Sequence, residues 1–227
     1  MGEPMKFASR QDAGRQLGIR LDAQNTRADL VVGLPRGGVI VADEVARALN
    51  CRLDILVVRK IGHPQFREFA VGALAEGGVI VLDEDALRKA YVRQGALEEV
   101  IAEETVRLND YSEKFGSNKR TPLAGQRVIL VDDGLATGAT AEAAVRSAQR
   151  QGASAIVVAI PIASENGYLR LANISNQVIA LSVDPAFEAV GQYYQSFPQA
   201  TDEEVLAVLS SRARDLRTRE PILSLGK

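Results

Sequence analysis

VILVDDGLATGAT, residues 128–140, is the stretch on which the reading of this chain turns. An apolar run of β-type residues ends in two adjacent carboxylates, Asp132 and Asp133. A short turn from Gly134 to Gly138 then leads into an alanine-rich helical pattern. The start of a helix presents free N–H groups and a partial positive charge, which together attract anions. Gly134 and Gly138 allow close backbone approach to a ligand, and Thr137 and Thr140 add hydroxyl donors. Two carboxylates beside such a loop would repel a bare phosphate. They suit a ligand that also carries vicinal hydroxyls, which donate hydrogen bonds to carboxylate oxygens. The spacing therefore predicts a sugar phosphate, with its diol at the aspartates and its phosphate at the loop. Neither G-x-x-x-x-G-K-[ST] nor G-x-G-x-x-G is present in this stretch.

Outward from this stretch, β-type runs alternate with helical ones. LVVGLP (30–35) precedes the turn PRGG and a helical pattern over 39–50, and LDILVVRK (53–60) reads as a second strand. FAVGALAEGGVIVLD (69–83) reads as a hairpin turning at Glu76, Gly77 and Gly78. Residues 85–116 are helical, with Leu97, Val100, Ile101, Leu108, Tyr111 and Phe115 on one side, and 117–126 is a loop. Strands follow at 127–133, 155–161 and 177–184, with a helix from about Gly138 to Gln151. A final helix begins at Thr201, where Thr201 and Glu204 have capping-box spacing. Such alternation predicts an α/β fold with a mostly parallel sheet flanked by helices, and ligands bound beyond the C-terminal strand ends. One domain over 1–227 is expected, with 61–125 as an insertion that closes over the site and 182–227 as a C-terminal hood and helix.

Composition narrows the classes of function. Net charge is −2, which gives no bulk attraction to nucleic acid or to a membrane surface. Aromatic residues are 5% with no Trp, so stacking platforms for single strands are scarce. No apolar run approaches the roughly 20 residues that span a bilayer. The first residues, MGEPMKFASRQDAG, lack the apolar centre of a signal peptide, and Cys51 is the single cysteine. A cytoplasmic location is the expectation.

VILVDDGLATGAT closely resembles the signature of the type I phosphoribosyltransferases: a hydrophobic strand, two acidic residues, and a loop ending T-G-x-T. The resemblance covers about residues 7–208. It implies that Asp132 and Asp133 bind the ribose 2′- and 3′-hydroxyls of phosphoribosyl pyrophosphate (PRPP). It implies that Ala136, Thr137, Gly138, Ala139 and Thr140 cradle the 5′-phosphate. GLPRGG (33–38) then corresponds to the pyrophosphate loop, with Pro35, Gly37 and Gly38 at the ligand and Arg36 supplying a donor fork; a cis peptide there is typical of the family. Arg59 and Lys60, at the end of the second run, are placed to neutralise the leaving pyrophosphate. Magnesium would arrive with PRPP, and a homodimer is implied.

The expected reaction is transfer of the 5-phosphoribosyl group from PRPP to an acceptor nucleophile, possession of the site without catalysis (a PRPP- or nucleotide-sensing regulator) being the rival reading. A structural protein with an inherited empty site is a further one. Members acting on hypoxanthine and guanine carry an aspartate immediately before T-G; here that position is Ala136, which argues against a 6-oxopurine held in that way. Adenine-like, pyrimidine and non-nucleobase acceptors stay open. Among other candidates, Lys114, Lys119 and Arg120 read as a solvated charge cluster, and His63 as polar loop surface. Glu68 is either a base or a structural partner. Phe187, Tyr193, Tyr194 and Phe197 read as a small core, with Asp184 as an acceptor contact at a strand end.

Overall fold

The computed structural model describes residues 6–116 and 120–219. Its central sheet has five strands, all parallel, in the order β2-β1-β6-β7-β8: β1 Leu30–Gly33, β2 Arg52–Ile55, β6 Arg127–Val131, β7 Ala155–Ser164 and β8 Gln177–Asp184. Side chains alternate across these strands, and both faces are covered. Leu30, Val32, Val128, Leu130, Ile156, Val158 and Ile160 pack in one core with α5 (Ala139–Arg150) and α6 (Glu165–Ala172). Val31, Ile129, Val131 and Ala159 point the other way, into a core with α1 (Arg10–Ala23) and α2 (Gly37–Ala48).

A second sheet, antiparallel β3-β4-β5, comprises Val58–Gly62, Ala70–Ala75 and Val79–Leu82. The hairpin is as expected: Gly77 and Gly78 take positive φ, 79° and 71°, at the tip. The single strand expected over 53–60 is instead two strands in two sheets. Leu56 and Val57, both fully buried, carry the chain from β2 into β3, so the second sheet begins before residue 61. An apolar run buried throughout does not reveal where it changes sheets.

The helix expected over 85–116 is two, α3 Glu84–Lys89 and α4 Gln94–Lys114. Asp83 caps α3 by accepting from Ala86 N at 2.9 Å. Leu97, Val100, Leu108 and Phe115 are buried against the second sheet and α7 (Asp202–Arg219), with Ile101 and Tyr111 beside them. The capping box of α7 is formed on both sides: Thr201 Oγ1 accepts from Glu204 N at 3.1 Å, and Glu204 Oε2 accepts from Thr201 N at 2.8 Å.

Helix α5 lies between the two sheets. Ala141, Ala143, Ala144 and Ala148 are buried among central-sheet residues on one side and Ala73, Ala75, Val79 and Val81 on the other. A helix covered on two faces needs short side chains at close packing density. Its alanine content, legible in the sequence, is a consequence of this position.

Candidate functional site

A cavity of about 740 Å³ opens at the C-terminal ends of β1 and β6. Four parts of the chain enclose it: residues 35–37, residues 132–141, the second sheet with α4, and Val190. Pro35, Arg36, Gly37, Arg59, Lys60, Asp132, Asp133 and the whole of 136–140 border it, so these sequence-expected residues are brought together. Gly38 stands just behind, its Cα hydrogen facing Asp132.

Two helices begin here without side-chain caps. Gly138, at φ 80°, is the N-cap of α5, and Arg36 is the N-cap of α2; neither makes a side-chain capping bond. Val39 N already donates to Arg36 O at 3.2 Å and Ala139 N to Thr137 Oγ1 at 3.5 Å. That leaves the N–H groups of Gly37 and Gly38 in one helix, and of Thr140 and Ala141 in the other, for anions on either side of the acidic pair. The peptide bond between Pro35 and Arg36 is cis.

The acidic pair is recessed, and each carboxylate has one oxygen engaged. Asp132 Oδ1 accepts from Asp133 N at 2.8 Å, and Asp133 Oδ2 accepts from Arg10 Nε at 2.7 Å. The other oxygen of each has no hydrogen-bond partner among the described residues. Burial, together with the neighbouring carboxylate, pushes Asp132 well above the usual carboxylate range. Burial raises Asp133 as well, but the Arg10 guanidinium pulls against it. Asp133 O also accepts from Tyr194 Oη at 2.6 Å.

Around the loop, Ser164 Oγ donates to Ala136 O at 2.5 Å and Arg170 NH1 donates to Thr137 O at 3.4 Å. Arg170 also pairs with Glu142 in the first turn of α5. The facing wall is charged. Arg59 Nε donates to Glu104 Oε2 at 2.6 Å, and its guanidinium lies 5.2 Å from the Tyr111 ring centroid. Arg107 pairs with the same Glu104, and Arg67 NH2 meets Glu103 at 2.9 Å. Lys60 is exposed at the cavity edge. Arg36 NH1 stands 3.9 Å from Asp202.

Sequence reasoning did not single out Arg10, Ser164, Arg170, Glu103 or Glu104. They come from elements far along the chain, and no local spacing links them to the signature. The remaining candidates fall outside the cavity. Asp184 accepts from Tyr193 Oη at 2.8 Å and from Ala186 N at 2.8 Å, so it organises a turn; burial and this carboxylate push the Tyr193 phenol up to about 12. Phe187, Tyr193, Tyr194 and Phe197 do form a small core with Phe7 and Ile162. Glu68 is exposed. Lys114 pairs with Asp202 and Arg120 with Glu76, while Lys119 lies outside the described residues. His63 corrects its expectation: it is 6% exposed, its Nδ1 accepts from Gln65 N and Phe66 N at 3.1 and 3.2 Å, and its Nε2 lies 3.3 Å from Ala90 O. The ring folds the 63–66 turn inward instead of meeting solvent.

Known proteins place this geometry. The family model for the phosphoribosyl transferase domain matches residues 9–194. Curated relatives in two strains of Mycobacterium tuberculosis, phosphoribosyl transferases by name only, are 44% identical over 210 residues, covering 92% of this chain and 47% of theirs. The chain thus spans about half the length of the curated relatives it matches. The crystal structure of TT1426 from Thermus thermophilus superposes with a TM-score of 0.75 at 44% identity, covering 91% of this chain and 99% of that one. No helix among the described residues is long and apolar enough to cross a membrane. With its signature on a strand–loop–helix at the mouth of a parallel sheet, and a family match over most of its length, the chain belongs to the phosphoribosyl transferase domain family.

Proposed function

We propose that this protein transfers the 5-phosphoribosyl group of PRPP to a small-molecule acceptor with release of pyrophosphate. One observation carries the reading: two uncapped helix N-termini flank a pair of carboxylates that each keep one oxygen free. The matching ligand is anionic at both ends and bears hydroxyls between them. PRPP has that pattern, and a nucleoside monophosphate lacks the second anionic end.

In this reading the N–H groups of residues 137–141 bind the 5′-phosphate, remote from the bond that breaks. That binding energy orients the anomeric carbon. The free oxygens of Asp132 and Asp133 accept from the ribose hydroxyls. Arg36, Lys60 and the N–H groups at Gly37 and Gly38 face the charge that develops on the departing pyrophosphate. Arg59 contributes less directly, since Glu104 already holds it. Magnesium carried in on PRPP would supply charge neutralisation at the departing pyrophosphate. At Ala136 no carboxylate is available for a purine ring nitrogen.

Calorimetric titration with PRPP and magnesium tests the proposal. Wild type is expected to bind saturably, and Asp132→Asn/Asp133→Asn to lose at least about a hundredfold in affinity, the loss of two hydrogen bonds to charged acceptors. A well-folded wild type that does not bind would sink it. Binding without pyrophosphate release across an acceptor screen would identify a PRPP-sensing regulator instead.

A further inference from the structure

Arg10 is a buried cation that the reaction above does not use. It is the first residue of α1 and 9% exposed. Its Nε donates to Asp133 Oδ2 at 2.7 Å, and its NH1 donates to Pro198 O at 2.6 Å. Its guanidinium carbon lies 3.8 Å from the Phe197 ring centroid. The fork is thus spent on two acceptors and its flat face on a ring, an arrangement that a lysine ammonium cannot reproduce.

The other contacts of Asp133 make this bond decisive. Gly37 packs so closely that an added Cβ would lie 2.0 Å from Oδ2. Tyr194 holds the backbone oxygen of Asp133. Oδ2 is enclosed by Arg10 and Gly37, and only Oδ1 remains for a ligand.

We propose that Arg10 is a positioning residue for recognition of the ribose diol: by clamping Oδ2 of Asp133 it presents Oδ1 to the cavity, and it ties that orientation to the C-terminal segment at Phe197 and Pro198. The inference rests on the ribose-phosphate reading of the cavity. It is supported by the asymmetry of the acidic pair, in which Asp133 has a guanidinium partner and Asp132 has none among the described residues. A ligand diol then meets one carboxylate clamped by a guanidinium and one held only by a backbone N–H.

The test compares ribose 5-phosphate with 2,3-dideoxyribose 5-phosphate, by calorimetry, in wild type, Arg10→Gln and Arg10→Lys. Both ligands reach the phosphate loop, and only the first can use the carboxylates. Wild type should prefer ribose 5-phosphate by about tenfold or more, the effect of a hydrogen bond to a charged acceptor. In Arg10→Gln that preference should fall by about fivefold, while affinity for the dideoxy sugar stays within about twofold. Arg10→Lys keeps the charge but not the fork, and its preference should fall by about threefold. A preference unchanged in Arg10→Lys, or a parallel loss for both sugars in both variants with unaltered circular dichroism, would overturn the positioning role. If wild type binds neither sugar nor PRPP, the ribose-phosphate site itself fails and this role fails with it. If wild type binds and discriminates while the variants discriminate equally well, this role alone fails.

Discussion

At Gly138 the backbone enters the left-handed region, φ 80°, as the chain turns from the loop into α5. An added Cβ there would first meet Arg170 Cδ at 3.3 Å, so space is tight but present. At Gly37 no positive φ occurs. What excludes a side chain there is the Asp133 carboxylate, 2.0 Å from where Cβ would sit, and at Gly38 it is Asp132 Oδ1 at 2.8 Å. Both loops start uncapped helices and both border the same cavity. One uses glycine for its conformation, the other for its lack of bulk. The acidic pair could not keep its position without the glycines at 37 and 38.

Substitutions should separate these two uses of glycine. The largest effect is expected at Gly37→Ala, which drives Asp133 off Arg10. Overpacking of this kind costs about 1–3 kcal/mol in urea unfolding, and PRPP affinity should drop by about a hundredfold. A variant with wild-type affinity would show that the carboxylate can relocate freely. Gly138→Ala should cost about 1–2 kcal/mol, from placing an L side chain in the left-handed region, with the carboxylates undisturbed and a smaller loss of PRPP affinity. If the two variants lose affinity equally, the distinction between the loops collapses.

Asp132→Asn sharpens the comparison from the side of charge. Burial and the neighbouring carboxylate raise Asp132 in the folded state above its unfolded value. The folded chain therefore binds more protons between those two values, and stability declines as pH rises through that window. The Asn variant lacks this slope. It should be more stable than wild type at pH 7, with the gain shrinking as pH falls, while losing ligand affinity. Urea unfolding as a function of pH measures it, and a variant less stable at pH 7 would reverse the sign. The smallest effect is expected at Lys60→Ala, an exposed position: unchanged stability and about fivefold weaker binding of pyrophosphate by calorimetry.

The central sheet was legible because strands β1, β6, β7 and β8 are apolar runs bounded by turn residues. The loop at 134–138 was legible because the strand, acidic pair and turn that define it lie within 13 consecutive residues. Helix α1 was not, since Gly14 and Gly18 weaken its pattern. Those same glycines let it approach α2, where added Cβ atoms would fall 2.7 Å from Val41 O and 2.6 Å from Ala48 Cβ. Helix α6 was not foreseen either, although Ser164 caps it by accepting from Gly167 N at 2.9 Å. Of the site, the groups proposed to meet the ligand were readable and the groups packed behind them were not. Arg10 and Asp133 are 123 positions apart, and only folding makes them neighbours.

Helix α5 is pressed between two sheets and also carries the loop proposed to bind phosphate at its first turn. Loosening the loop end of this helix uncovers alanines that seal both cores, so recognition and folding share one cooperative unit. Amides within α5 should accordingly be among the slowest to exchange with deuterium. A ligand held at its N-terminus should slow exchange in β5, a strand that packs on α5 and does not border the cavity.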